Sequence, residues 1–333
     1  MRAAWYEHQG DPYHSLVVGQ MPDPAPGAGE VRIAVTVSGL SPGDVKKRSG
    51  WQGSAMSYPR VIPHSDGAGT IDAVGPGADQ DRIGEHVWCY GAQSYRPFGT
   101  TAEYVVVPGD LAVPLTASTD TGQPSDDLDM QASCLGIAGI TAHRAVFADG
   151  PVDGLTVLIH GAAGGVGSIA TQLARRDGAT VLAVVRNDHQ IGQALQLGAH
   201  YAFRDDDPDL ARRTADVAPQ GVHRIAEVDF AGHVHLDAAI LAIGGVVCSY
   251  STSDDHPAIP YWALGFKDTT LRLLGSDDFP ATVKADAART LTEALLDGSL
   301  RSHIAARYSL DQIANAHAAV EAGAGGRVVI EVT

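Results

Sequence analysis

The stretch His160-Gly161-Ala162-Ala163-Gly164-Gly165-Val166-Gly167 carries the strongest chemical signal in this 333-residue chain. It stands between a short apolar run, Thr156–His160, and a helical stretch over 168–176. A dinucleotide pyrophosphate must approach backbone where no Cβ intrudes. The helix N-terminus behind such a loop then offers N–H groups and positive partial charge. Gly164 and Gly167 fit the second and third glycines of GxGxxG, Ala162 stands at the first, and Gly165 and Val166 complete the loop. The alternative is a glycine-rich turn without ligand, against which the flanking strand and helix count.

The residues that follow address which dinucleotide. An Asp or Glu ending the second strand, about 20 residues on, would hold the ribose hydroxyls of NAD. Twenty residues from Gly165 lies Val185, and Arg186 follows it instead of an acid. A guanidinium suits a 2′-phosphate. Arg204, after the third strand, converges on the same pocket, and the combination predicts NADPH rather than NADH. The alternative for Arg186 is a solvated surface charge. Asp188 either binds ribose or caps the next helix.

These residues need a parallel sheet to hold them. Runs at 156–160, 180–185, 224–228, 245–249 and 270–274 are short and apolar. Helical stretches at 131–148, 168–176 and 190–197 alternate with them, which predicts a doubly wound parallel sheet. Before it, 31–37 alternates apolar and polar residues, and 67–75, 85–90 and 102–107 read as further short strands. Pro and Gly signals separate them closely, as in a barrel or sandwich. Residues 116–129 are rich in Ser, Thr, Asp and Gly and read as a linker or surface loop. The last stretch gives a helix at 284–296, a strand at 305–309, a helix at 310–322 and a strand at 327–332. The expected domains are 1–127, 128–278 and 279–333.

Composition narrows the partners. Lys plus Arg is 23 and Asp plus Glu is 39, giving a net charge of −16 that opposes nucleic-acid backbones and anionic lipid. No apolar run is long enough to span a bilayer, and the N-terminus lacks the apolar core of a signal peptide. Cys89, Cys134 and Cys248 are far apart and form no CxxC pair. The expectation is a cytoplasmic chain that works on a small molecule, with no nucleic-acid or membrane partner.

Several motifs, in order, carry a resemblance. They are Gly39-Leu40-Ser41-Pro42-Gly43-Asp44, Arg48-Ser49-Gly50, Ser65-Asp66-Gly67-Ala68-Gly69, Gly84-Glu85-His86-Val87 and Ala102-Glu103-Tyr104. Gly139-Ile140-Thr141-Ala142, the glycine loop, Leu310-Asp311-Gln312-Ile313 and Gly326-Arg327-Val328-Val329-Ile330 continue the series. Together they resemble the medium-chain dehydrogenase/reductase superfamily, in its zinc-free quinone oxidoreductase (zeta-crystallin-like) branch, over essentially the whole chain. The resemblance implies an α/β fold: a GroES-like β-barrel catalytic domain, a Rossmann domain, and a C-terminal segment returning to the barrel. The active site would lie where the nicotinamide meets substrate between the domains.

The same resemblance implies roles for particular residues. Zinc-dependent relatives place metal ligands at the positions of Ser41, Ser65 and, later, Ile137. Two hydroxyls and an alkyl group are not a zinc site, so no metal is expected. Without that Lewis acid, a quinone or conjugated carbonyl is an easier acceptor than an alcohol is a donor. Ser41, Trp51 and Thr141 are the implied catalytic group. Ser249, Tyr250 and Ser251 are implied along the nicotinamide side of the cofactor. The strand at 270–274 is implied as the edge of a homodimer. Enoyl reduction of acyl chains and NADPH binding with little catalysis stand as alternative functions.

Overall fold

The computed structural model describes residues 1–115 and 126–332. The chain divides into two compact units, Met1–Ala138 with Lys284–Thr333, and Gly139–Val283.

The first unit opens with β1 (Arg2–Trp5), α1 (Pro12–Ser15) and β2 (Val17–Gln20), the two strands pairing antiparallel. Then come β3 (Glu30–Leu40), α2 (Pro42–Ser49), β4 (Asp66–Val74), β5 (His86–Cys89), β6 (Tyr104–Pro108), β7 (Ala112–Pro114) and α3 (Asp126–Ala132). β3 organises the sheet. One edge pairs antiparallel with β4 along most of its length, and on the other edge residues 30–34 pair with β6. Val31, Ile33 and Val35 point inward as the alternation predicts, against Ile71, Val87, Val105 and Val107, while Val37 packs with Met130, Cys134 and Val329. The last four residues of β3 are buried on both faces. There Gly39 is required by a close approach, since a Cβ would lie 1.9 Å from the Ser133 carbonyl oxygen.

The second unit takes in most of α4 (Ile137–Phe147). It continues through β8 (Thr156–His160), α5 (Gly165–Arg176), β9 (Thr180–Val185), α6 (Asp188–Gln196), β10 (Tyr201–Arg204) and α7 (Leu210–Val217). After them come β11 (Val222–Glu227), α8 (Phe230–Ile240), β12 (Leu241–Ser249), α9 (Tyr261–Gly265) and β13 (Thr270–Leu273). Six strands form one parallel sheet in the order β10-β9-β8-β11-β12-β13. Its first half, reversing about β8, is the doubly wound order that places a ligand at the carboxyl ends of the strands. Val157, Leu158, Ile159, Val181, Leu182 and Ala183 are fully covered, as central strands of such a sheet must be.

The chain returns to the first unit through α10 (Ala281–Leu296), β14 (Ile304–Ser309), α11 (Ile313–Glu321) and β15 (Arg327–Glu331). β15 pairs antiparallel with residues 37–40 of β3 and parallel with β14. The GroES-like and Rossmann-like folds are therefore both present.

Several boundaries move from their expected places. The first unit extends to residue 138 rather than 127, because α3 packs on β3 and β4. The helical stretch 131–148 breaks at residues 133–136 into α3 and α4. Gly136 sits where a Cβ would overlap the Asp66 carboxylate, and the Ile137 N–H turns to that carboxylate at 2.8 Å. Of the loop expected over 116–129, residues 116–125 lie outside the described residues, and α3 begins at 126. The helix expected from 310 opens as a 3₁₀ turn, Leu310–Gln312, before α11.

Candidate active site

β8 delivers His160 to the loop, and Gly161 turns the chain at a φ of +63°. The Gly164 N–H closes the turn on the Gly161 carbonyl at 2.8 Å, and Gly164 then serves as the N-cap of α5 with no side-chain cap. The first-turn N–H groups of α5 are thus left for an external anion. Gly167 has a different task. A Cβ there would lie 2.2 Å from the Gly161 carbonyl oxygen and 2.9 Å from the Ala162 Cα, so only glycine lets α5 start this close to β8. Ala162 at the first glycine position is fully buried. Buried Ile169, Leu173 and Ala174 hold α5 on the sheet. α5 begins at Gly165, three residues earlier than the composition suggests, which puts Gly165, Val166 and Gly167 inside its first turn.

The expected phosphate and ribose residues reach the same carboxyl edge of the sheet. Arg186 follows the last residue of β9, and Arg204 ends β10 opposite Val185 in register. Arg186 is exposed, and its guanidinium has no partner among the described residues. Arg204 is already engaged: Nε donates to Asp206 Oδ1 at 2.7 Å, Nη2 to Oδ2 at 2.5 Å, and Nη1 to Asp188 Oδ1 at 3.3 Å. The helix cap is Asn187, whose Oδ1 accepts from the Gln190 N–H, rather than Asp188. Asp188 falls one residue inside α6 and turns to Arg204. Ser249 ends β12, and Tyr250 and Ser251 continue it. The Tyr250 N–H donates to the Glu227 carbonyl at 3.0 Å, and Ser249 Oγ donates to the Ser251 carbonyl at 3.0 Å. Thr141 is buried within α4.

In the first unit, Ser41 and Trp51 stand at opposite ends of α2. Ser41 is the buried N-cap: its N–H donates to Asp44 Oδ2 at 2.8 Å, and its Oγ accepts from Arg327 Nη2 at 3.3 Å. Trp51 follows the left-handed Gly50 that ends α2. The residue is 43% exposed and offers a flat apolar surface, with Lys46 Nζ 4.2 Å from the ring centroid. Ser65 is fully buried with no partner for Oγ, and Asp66 accepts from the Ile137 N–H. The zinc-ligand positions thus carry hydroxyls and an alkyl side chain. That donor set does not fit Zn²⁺, which needs thiolate, imidazole or carboxylate. His64, one residue earlier, is committed to a buried network: Nδ1 meets Ser38 Oγ at 2.9 Å and Nε2 meets His317 Nε2 at 3.1 Å. Burial holds both imidazoles below their usual range, hence neutral.

Sequence reasoning missed two features. Arg327 is a buried cation that donates to Ser41 and is stabilised by the nearby charges of Asp66 and Asp44, and only the Gly-Arg-Val-Val pattern pointed to it. His160, Glu227, His233 and Asp237 also come together beneath the glycine loop. Their one signal in sequence was a carboxylate and an imidazole ending otherwise apolar strands.

Comparison with known proteins agrees with this division. Residues 27–117 match the alcohol dehydrogenase GroES-like domain, and residues 165–287 match the family described as zinc-binding dehydrogenase. The quinone oxidoreductase of Rattus norvegicus is 29% identical over 298 residues, 88% of this chain and 86% of that protein. The Homo sapiens quinone oxidoreductase is 28% identical over 319 residues, 92% and 90% of the two chains. A mycobacterial protein solved in complex with NADPH superposes with a TM-score of 0.82 at 25% identity, covering 100% of both chains.

Proposed function

We propose that the chain, a member of the medium-chain dehydrogenase/reductase superfamily in its quinone oxidoreductase branch and an NADPH-dependent oxidoreductase, works without zinc, on quinones or conjugated carbonyls. The observation that carries the cofactor half is the N-terminus of α5, uncapped by any side chain and cradled by Gly161, Gly164 and Gly167, with the Arg186 guanidinium, partnerless among the described residues, on the same edge of the sheet. The helix terminus holds the pyrophosphate and Arg186 the 2′-phosphate. Ser249, Tyr250 and Ser251 supply backbone beyond β12 for the nicotinamide end. The bound reduced nicotinamide supplies a hydride.

Ser41, Ser65 and Ile137 support the acceptor half. With no zinc-type donor set, nothing there would lower an alcohol's pKa, whereas an electron-poor acceptor needs no such help. Ser41 offers a hydroxyl, Trp51 a flat apolar face and Thr141 a second hydroxyl for positioning. The thiols Cys89, Cys134 and Cys248 are free and buried, which fits a cytoplasmic setting. No helix among the described residues is long and apolar enough to cross a membrane. The exposed edge of β13 supports a homodimer, and the charge of −16 opposes a nucleic-acid partner. NADPH oxidation against a panel of quinones and enones tests the function. Binding of NADPH with no turnover on any of them would favour a binding protein instead.

A further inference from the structure

We propose that Asp237, acting through His160, positions the glycine loop and makes nucleotide affinity fall as pH rises. The proposal rests on the dinucleotide reading of that loop. His160 is the last residue of β8 and directly precedes Gly161. Its Nε2 lies 2.9 Å from Asp237 Oδ1 on α8 and 3.3 Å from Glu227 Oε2 at the end of β11. All three side chains are fully buried. Glu227 Oε1 also accepts from His233 Nδ1 at 2.9 Å and from the Asp229 N–H. A Cβ on Gly161 would touch Val228, the residue after Glu227, at 3.2 Å. The cluster therefore ties together the tip of β8, the tip of β11 and the first turns of α8. Any shift of His160 relative to Glu227 is passed to the first residue of the loop.

His160, Glu227 and His233 are close enough to suggest a metal site. The ring geometry opposes one. The two imidazoles stack with centroids 4.2 Å apart and planes 9° from parallel. Their in-plane lone pairs run side by side and do not converge on one ion.

Proton sharing accounts for the arrangement. His160 Nδ1 is buried and has no hydrogen-bond partner, so the cluster has few ways to stabilise added charge. Burial pushes the Asp237 carboxyl up to about 7 and the His160 imidazole down to about 4. The Glu227 hydrogen bond raises His233. The groups facing the cluster are mostly acidic. Glu227 comes from β11, Asp229 from the turn before α8, Asp205 from beyond β10 and Tyr250 from beyond β12, against His233 on α8 itself. Below neutrality Asp237 keeps its proton and bonds His160 as a neutral group. Above it, Asp237 becomes a buried carboxylate directly behind a loop that must hold an anion. Both the repulsion and the altered His160 contact weaken nucleotide binding.

The test is the NADPH dissociation constant by fluorescence from about pH 6 to about pH 8.5, for the wild type and for Asp237→Asn. Comparing the two profiles cancels the nucleotide's own titration. Wild-type affinity should weaken relative to D237N by roughly three- to tenfold across the range, as expected for a pKa displaced by up to about one unit on binding. Parallel profiles in two folded proteins overturn the proposal. Should D237N fail to fold, calorimetry on the wild type decides. Titrating NADPH at about pH 7.5 in two buffers of different ionisation enthalpy should show uptake of a fraction of a proton. No uptake overturns the proposal. A wild type that binds no NADPH at any pH overturns the dinucleotide reading itself, an outcome distinct from binding without proton linkage.

Discussion

The guanidinium of Arg204 lies bidentate against the carboxylate of Asp206, while Arg186, beside it at the sheet edge, has no such partner. The two arginines are therefore unequal as phosphate ligands. Arg186→Ala should weaken NADPH by roughly tenfold or more, the worth of a charged hydrogen bond, and leave NADH little changed. Arg204→Ala should cost less, because its charge is already shared with Asp206 and Asp188. Asp206→Asn should tighten NADPH a few-fold by freeing Arg204, since the pair it breaks is solvent-exposed and contributes little. Fluorescence titration with both nucleotides measures all three. Equal losses of NADPH and NADH in R186A would refute the phosphate assignment.

Gly167 permits a contact that no other residue can make. The Cβ of Gly167→Ala would meet the Gly161 carbonyl oxygen at 2.2 Å, so α5 must retreat from β8. The overpacking should cost about 1–3 kcal/mol and lower the melting temperature by several degrees. NADPH affinity should fall with it, since the helix terminus moves. Gly192→Ala on α6 is the control: its Cβ meets nothing within 4 Å, and the change should be neutral or slightly stabilising. A G167A protein that melts and binds like the wild type would mean that the close approach is not needed.

Much of this site is written locally in the sequence. Runs such as Thr156–His160 and Thr180–Val185 can be buried only in a covered parallel sheet, and the glycines between strand and helix show where the sheet receives its ligand. The break at 133–136 could not be read that way, because its cause is Asp66 on a distant strand. The His160–Asp237 bond spans 77 residues and has no local signature. The cap of α6 went to Asn187 over Asp188 through a one-residue difference in where the backbone turns, below the resolution of any pattern. The 3₁₀ start at Leu310 and the early start of α5 are likewise end effects, set by capping rather than by periodicity.

The outer edge of the second unit's sheet leads to a prediction about assembly. Among the described residues β13 pairs only with β12, and Leu273 on it is 76% exposed. Ile243 of β12, Trp262 of α9 and Phe266 just after it are more than half exposed as well. The Gly244 N–H to Lys267 carbonyl bond at 2.7 Å ties the β12 turn to the end of α9. Symmetric pairing would cover both strand edges at once. Light scattering at micromolar concentration should give twice the mass of the 34.7 kDa chain. Leu273→Lys should shift it toward the monomer. A wild type that is monomeric throughout would reject this edge as an interface.

Ser41, Ser65 and Ile137 also make a direct prediction about metal. Prolonged chelation should leave NADPH oxidation unchanged, and elemental analysis of the purified protein should find zinc well below one per chain. Stoichiometric zinc that is lost together with activity would overturn the zinc-free reading.

The final prediction separates positioning from shape at the acceptor site. Ser41 spends its N–H on Asp44 and accepts from Arg327, which leaves its hydroxyl proton free to be donated toward a carbonyl. Ser41→Ala should lower kcat with only a modest change in NADPH affinity, since an interaction made at the reacting centre is lost. Trp51 is different: its exposed ring contributes area to a planar acceptor before and during reaction alike. Trp51→Ala should mainly raise KM for flat substrates and leave kcat near wild type, the signature of uniform binding. Thermal melts control for a helix-capping role, because losing the N-cap of α2 costs about 1 kcal/mol in stability without touching kinetics. If S41A melts lower but turns over normally, Ser41 is a cap and Arg327 its partner. If W51A leaves KM unchanged in a folded protein, the acceptor is held by other residues.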